Sequence, residues 1–441
     1  MYINRAAQQS IESSLSRTCI TAVLGPRRVG KTSLIKNYSQ KITRGIWCTI
    51  NLDSLSLRQR IANQELEQII IEECHQNIGG KEKIWVAIDE AQKSPELFEQ
   101  IKIIYDAWID RDPEKIKFIL TGSGHLSLHK LSTESLAGRI ELYYLQPFTL
   151  RELCVMHGYE IETKSPLMLI NTCSEEELPY KIEAVIKNIL PFKNVIKNVL
   201  QEQMIWGGLP ELLKYSTKAE KQIYLTNYID TYLEQDVRAI STISDLMLFK
   251  NMMITLAQQT GSMRDDKKIT DALSCNIETL KKYRGFLSAT LLYIELYPFI
   301  DVTLKKLVKS PKGYLLDNGL ISNLTGLYDY NALTTTGKIG SRFENWFIQE
   351  LRSWLTQLPE RSEIHFWRLS SGSEVDFVVS IKPNILPFEI TYGEQPERKK
   401  ITNLKKFMAQ VPEAKWAFYI YNGKFMVDAE NKIIFLPAWV I

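Results

Sequence analysis

At 441 residues, 45% of them hydrophobic and 24% charged, the chain has room for roughly two to four domains with real cores, which excludes a disordered or fibrous polymer. A net charge of only +3 excludes any reading of partners from overall electrostatics, so a nucleic-acid surface has to come from local clustering. The six cysteines form no CxxC pair, which excludes a disulfide scaffold and points to a reduced, cytoplasmic setting; no apolar leader or membrane-length run is present, so no membrane partner is expected.

Residues 1–18 predict a short amphipathic helix, and residues 19–24, apolar and β-branched, a buried parallel strand. Gly25-Pro26-Arg27-Arg28-Val29-Gly30-Lys31-Thr32 follows, and Ser33 onward has helical spacing. This is the strand–GxxxxGK[ST]–helix order of a P-loop. Gly25 and Gly30 let the backbone of residues 25–33 curl so that its N–H groups, which Pro26 alone lacks, face a phosphate; Lys31 reaches the β- and γ-phosphates, and the Thr32 hydroxyl ligates Mg²⁺. The chain therefore reads as a nucleotide-binding protein, with ATP or GTP left open.

Residues 46–51 predict a second strand and residues 59–75 one helix. The apolar run 84–88 leads into Asp89-Glu90, the way a buried strand delivers carboxylates to a ligand edge: Asp89 for Mg²⁺, Glu90 to orient or deprotonate the attacking water. Residues 117–120 form a further strand ending in Thr121-Gly122-Ser123, where Ser123 is placed to sense the γ-phosphate. His125 and His129, four apart with no further ligand nearby, read as ordinary residues. Arg139, ahead of a strand at 140–145, is either a group that stabilises the transferring phosphoryl, in its own subunit or across a contact, or a surface arginine.

The P-loop, the "DEAQKSP" stretch, residues 120–123 and "LAGRIELYYLQPFTLREL" resemble a prokaryotic ATPase family of the AAA+ superfamily. So do "WGGLPELL", "YIDTYLEQDV", "KGYLLDNGL", "GSRFENWFIQEL" and "FWRLSSGSEVDFVV" further on. The resemblance implies ATP rather than GTP, bound with Mg²⁺, and a companion region of unknown function. It leaves room for a homo-oligomer.

Residues 155–205 predict a helical lid, and residues 224–240 a long helix. Helices at 246–258, 268–273 and 277–287, the last capped by Asn276, precede alternating segments at 291–297 and 302–308. Helix, helix, turn, helix, hairpin is the winged-helix order. Basic residues at Lys281, Lys282, Arg284, Lys305, Lys306, Lys309 and Lys312 suit double-stranded DNA, with Thr279, Lys282 and Arg284 toward the groove; alternatively the module only packs against its neighbours.

From Lys338 a helix carries Glu344, a strand carries Asp376 and the next strand Glu389, which resembles the metal-gathering carboxylates of restriction-endonuclease-like folds. The lysine those catalytic members have two residues on is here Thr391, which argues against a working nuclease unless Lys382, Lys399 or Lys405 replaces it in space. The expected fold class is thus α/β. A P-loop parallel-sheet core (1–155) comes first, then a helical lid (156–240), a winged helix (241–320) and a restriction-endonuclease-like domain (321–441).

Overall fold

The computed structural model describes residues 2–17, 20–124, 136–233, 237, 243, 245–299 and 310–441. His125, His129, Cys19 and the segments 302–308 and 234–236 lie outside the described residues. The chain divides into two compact units, residues 1–146 with 286–292 and residues 147–285 with 293–441. Among the described residues no helix is long and apolar enough to cross a membrane.

The first unit is built on five parallel strands: β1 (Ile20–Leu24), β2 (Ile46–Asn51), β3 (Ile84–Asp89), β4 (Ile116–Gly122) and β5 (Ile140–Tyr144). They stand in the order β2-β3-β4-β1-β5. β1 and β4 are buried along their whole length because helices cover both faces, which is why they are continuous apolar runs rather than alternating ones. Ala22, Val86, Ile88, Phe118 and Leu120 meet Ile69, Ile70, Phe98 and Ile101 in one core.

The single helix expected at 59–75 is two, Leu55–Ala62 and Leu66–Cys74. Gln64 takes a left-handed φ of 63° between them. Buried Gln100 stabilises the break: its amide donates to the Ile61 carbonyl at 2.7 Å and its Oε1 accepts from the Leu66 N–H at 3.0 Å. A helical period continues through such a break, so the sequence pattern does not reveal it.

The second unit opens with helices, among them Leu150–Met156, Leu178–Ile189, Lys193–Trp206 and Lys218–Tyr232, the last starting at a Thr217–Glu220 capping box. Helices Leu246–Gln258, Asp266–Leu273 and Ile277–Ala289 follow, and Asn276 Oδ1 accepts from the Thr279 N–H at 2.7 Å, as a cap should. β6 (Tyr293–Leu296) pairs antiparallel with β7 (Lys312–Leu315), Tyr293 opposite Leu315 and Leu296 opposite Lys312. The strand found opposite β6 is thus at 312–315.

A mixed sheet closes the unit: β8 (Ser362–Arg368), β9 (Glu374–Ile381), β10 (Asn384–Thr391), β11 (Ala417–Tyr421), β12 (Met426–Asp428) and β13 (Ile433–Pro437), ordered β12-β13-β11-β10-β9-β8. Strand alternation sorts its two faces. Phe377 and Phe388 turn to Phe347 of the helix Ile339–Leu355, with ring centroids 6.0 and 5.6 Å away. Trp367, Val378 and Tyr419 turn to Leu404 and Phe407 of the helix Arg398–Gln410.

Gly207 joins the helix Lys193–Trp206 to this framework. Its φ is +76°, and a Cβ there would overlap the buried Asp317 carboxylate, which accepts from the Gly208 and Gly319 N–H groups at 2.6 and 2.8 Å. Left-handed strain and overpacking together predict that Gly207→Ala destabilises this unit by about 2–4 kcal/mol, read from urea unfolding. An unchanged midpoint would show that the Asp317 contact yields freely.

Candidate functional site

β1 delivers Gly25 to the C-terminal edge of the parallel sheet. A Cβ on Gly25 would meet the Leu145 carbonyl, so only glycine lets the loop pass. Arg28 and Gly30 take positive φ (61° and 99°), and Gly30 is the N-cap residue of the helix Lys31–Ser39. Lys31, 6% exposed, donates from its ammonium to the Gly25 and Pro26 carbonyls at 2.9 and 2.8 Å, folded over the hollow where phosphate oxygens would replace those carbonyls. Val29 is fully buried, while Thr32 and Ser33 are exposed on the first helical turn.

One brace was invisible in the sequence pattern. Buried Arg5 donates from Nη1 to the Val29 carbonyl at 2.9 Å and from Nη2 to the Gln146 carbonyl at 2.7 Å, tying the loop to the end of β5.

Because β4 lies between β1 and β3, its end faces both the loop and the acid pair. Thr32 Oγ1 donates to Asp89 Oδ2 at 2.9 Å, and Thr121 donates to Asp89 Oδ1. Glu90 sits at φ +56°, unusual for a non-glycine residue and typical of strained functional positions. Its N–H donates to Thr121 Oγ1 at 3.3 Å, and its Oε2 accepts from Ser123 Oγ at 3.0 Å and Gln92 Nε2 at 2.5 Å. Gln92 was not anticipated; being two residues beyond Glu90, on a 3₁₀ turn, it was legible only once that turn was known. A cavity of about 360 Å³ opens beside these groups, lined by Thr32, Ile35, Trp47, Asn51, Asp89 and Thr121.

The donor set suits a nucleotide with Mg²⁺: a hydroxyl and a carboxylate already 2.9 Å apart, beside an ammonium that donates to two carbonyls of the loop. Arg139 is placed elsewhere. It precedes β5 where Ile140 pairs with Ile20, the start of β1, about 13 Å from the cradle at the other end of that strand. It grips Asp106 at 2.6 and 2.9 Å. A role toward its own subunit's phosphates is therefore corrected: the parallel sheet separates the two ends.

All three C-terminal acids lie in the second unit, Asp376 and Glu389 around one lysine and Glu344 against another. Glu389 is 1% exposed and Asp376 8%. Alternation on β10 places Glu389 opposite in sense to Phe388, hence on the face of the helix Arg398–Gln410. The expected replacements for a lysine at 391 were Lys382, Lys399 and Lys405; the structure supplies Lys400. Its ammonium lies 2.7 Å from Asp376 Oδ2 and 3.4 Å from Glu389 Oε2, and donates to the Ile390 carbonyl at 2.5 Å. Thr391 instead bonds the Tyr419 hydroxyl at 2.8 Å. The signal was present: Lys400 shares the 400, 404, 407 stripe with buried Leu404 and Phe407, whereas Lys399 and Lys405 do not.

A second lysine enters from β7. The side chain of Lys312, 4% exposed, puts Nζ 3.3 Å from Glu344 Oε1 and 2.5 Å from Glu374 Oε1, and the Tyr314 hydroxyl donates to Glu344 Oε1 at 2.5 Å. Burial opposes the Asp376 charge, but the Lys400 and Lys312 ammoniums outweigh it and hold that carboxyl at about 2. Burial, then the Asp376 charge, pushes Glu389 well above the ordinary carboxylate range, and burial raises Glu344. Among the described residues no three His, Cys, Asp or Glu side chains converge to hold a metal ion. As folded, this pocket does not fit one.

Two residues expected to face DNA are also internal. Arg284, 5% exposed, pairs with Asp266 at 2.7 Å and Glu295 at 2.5 Å, and Lys312 is the buried lysine just described. Arg284 follows Leu280 by four residues and precedes Leu287 by three, which puts it on the buried stripe of its helix. Lys281 and Lys282 are exposed; Lys305, Lys306 and Lys309 lie outside the described residues.

A five-stranded parallel sheet with a phosphate cradle after β1 and an acid pair after β3 defines a P-loop nucleoside triphosphatase fold. Residues 17–154 match the family model described as an AAA domain. Residues 197–331 and 339–441 match domains of unknown function, DUF8612 and DUF4143. Uncharacterised proteins of Mycobacterium bovis and Mycobacterium tuberculosis are each 23% identical over 434 residues, 98% of this chain and 83% of the relative. Among solved structures, a Walker-type ATPase of Pyrococcus abyssi is 18% identical, with TM-score 0.41, covering 74% of this chain and 96% of the other. DnaA of Aquifex aeolicus bound to AMPPCP is 13% identical, with TM-score 0.26, over 65% and 89%.

Proposed function

We propose that the first unit binds ATP with Mg²⁺ and hydrolyses it, and that the nucleotide state switches what the second unit binds. The observation that carries this reading is the Thr32–Asp89 hydrogen bond at the mouth of the loop, with Glu90 held beside it by Ser123 and Gln92. The loop's backbone N–H groups, Pro26 excepted, and the Lys31 ammonium would take the phosphate oxygens; Thr32 and Asp89 would hold Mg²⁺, which neutralises phosphate charge when bound. Glu90 would align the attacking water and accept its proton, its carboxylate kept in place by Ser123 and Gln92. Arg139, remote from its own cradle, would act only on the nucleotide of a neighbouring copy, which makes a homo-oligomer part of the proposal.

The test is phosphate release with and without duplex DNA, run beside a mass measurement with a slowly hydrolysed ATP analogue. Mg²⁺-dependent turnover and a larger assembly with the analogue are expected. No turnover in any condition would leave ATP as a structural ligand. Double-stranded DNA is the proposed partner of the three-helix and hairpin segment, through exposed Lys281 and Lys282. Their replacement by alanine should weaken duplex binding about uniformly across sequences and lower its salt dependence. Undetectable wild-type binding at low salt would exclude DNA.

A second reading, phosphodiester hydrolysis at Glu344, Asp376 and Glu389, gains a cation from Lys400 and meets an obstacle in Lys312. We read the C-terminal sheet as kept for binding or assembly while that obstacle is in place.

A further inference from the structure

The helix Arg398–Gln410 carries five cations, Arg398, Lys399, Lys400, Lys405 and Lys406, and no carboxylate. Its phase divides them. Lys400 turns inward to Asp376 beside the buried Leu404 and Phe407, while Arg398, Lys399, Lys405 and Lys406 are exposed. Arg398 and Lys405 are seven residues apart, as are Lys399 and Lys406. Two rows of cations, each about 10.5 Å long, therefore run along the outer face with exposed Thr402 between them. Among the described residues none of these four forms an ion pair, whereas exposed lysines of other helices in this unit do, Lys187 with Glu183 and Lys268 with Asp265. Lys406 donates to Ser373 Oγ at 3.1 Å, and the Asp428 carboxylate, held by Asn431 at 2.7 Å, feels the Lys405 charge without pairing with it. Three of the five cations also fill the first helical turn, where the helix dipole opposes them.

We propose that this face binds the phosphate backbone of duplex DNA, independently of sequence. Two observations carry it. Four exposed cations stand together without acidic partners, and the charges of the first turn work against the helix that bears them. The composition of the face also selects among polyanions. Of the exposed residues on this helix only Ala409 is apolar. The face thus lacks the aromatic or aliphatic anchor of a protein interface and the apolar side that a lipid surface takes up. Lys400 and the acids it pairs with lie on the opposite side of the helix, so a duplex held here is bound without being brought to them. The proposal goes beyond the one that places DNA on Lys281 and Lys282, and shares only the partner with it.

The experiment titrates the full chain with a fluorescently labelled duplex over a series of salt concentrations. Wild type should bind at low salt. Arg398→Gln, Lys399→Gln, Lys405→Gln and Lys406→Gln combined should weaken binding at least about tenfold and lower the slope of log affinity against log salt by about 3–4, one phosphate per cation. A control removes the same charge from other exposed positions: Lys181→Gln, Lys187→Gln, Lys214→Gln and Lys218→Gln. It should keep the wild-type slope, and an equal loss there would reduce the effect to net charge and overturn the proposal. The urea midpoint of the Arg398–Lys406 variant should hold or rise, since charges that oppose the dipole are gone. A midpoint that falls together with binding would mark the four side chains as structural and overturn the proposal. Binding lost on Lys281→Ala with Lys282→Ala but kept in the Arg398–Lys406 variant removes this proposal and leaves the other DNA surface standing. Wild type that binds no duplex at low salt, or binds phosphatidylserine vesicles instead, also removes it, while phosphate release decides ATP hydrolysis separately.

Discussion

Lys31→Ala is expected to weaken ATP binding by at least about 100-fold, and Glu90→Gln to keep binding while slowing turnover by about 10²–10⁴. The two effects differ because the two side chains serve different steps. The Lys31 ammonium now rests on the Gly25 and Pro26 carbonyls, 2.9 and 2.8 Å away, neutral acceptors that phosphate oxygens outcompete. Two charge-assisted bonds at about 1.5–3 kcal/mol each account for the lost affinity. Glu90 touches no residue of the loop among its described hydrogen bonds; it is held by Thr121, Ser123 and Gln92. A neutral amide there keeps the shape and loses the base. Titration with a fluorescent ATP analogue and phosphate release separate the two. Undiminished hydrolysis in either variant would remove the assignment.

Between about pH 4.5 and pH 8 the second unit is expected to lose stability, and Glu350→Gln to suppress much of that loss. Glu350 is 4% exposed, and its Oε1 accepts from the Leu150 N–H at 2.8 Å, at the start of the helix Leu150–Met156. Burial, reinforced by the Glu152 charge, outweighs that hydrogen bond and pushes the carboxyl up to about 8. Between its unfolded and folded values the native state therefore holds a proton that the unfolded chain has released, so stability falls as pH rises. At about 1.4 kcal/mol per unit, the effect is a few kcal/mol, with about 5 kcal/mol as its ceiling. Glutamine keeps the acceptor for Leu150 and carries no charge to bury. Asp317, raised to about 6 by burial, adds a slope of the same sign at lower pH. The difference between wild type and variant from pH 6 to 8 isolates Glu350. Urea unfolding across that range measures it, and parallel profiles would show that Glu350 does not titrate there.

The nucleotide site was legible because its determinants are local. A strand, a glycine-framed loop and a helix start are contiguous from residue 20 to 39, and an apolar run ending in Asp89-Glu90 marks its own strand end. Caps such as Asn276 are written in one or two residues. Arg5 and Gln92 escaped notice because each acts through one contact that exists only after a loop or turn has closed. Arg284 and Lys400 could have been found, since each lies on the apolar stripe of its helix. Charge alone points Arg284 toward a DNA groove and does not single out Lys400, whereas helix phase turns both inward.

By itself the sequence determined the P-loop, the acid pair, the α/β class and the C-terminal carboxylates, since each depends on backbone geometry or periodicity within some ten residues. Only the tertiary structure decided where charges meet. It set Arg139 at the far end of the sheet from its own cradle, brought Lys400 to Asp376, and seated Lys312 from one family segment among the acids of another. The physical reason is that an ion pair forms wherever folding brings two side chains together. That distance is fixed by strand order and helix phase, and not by separation along the chain.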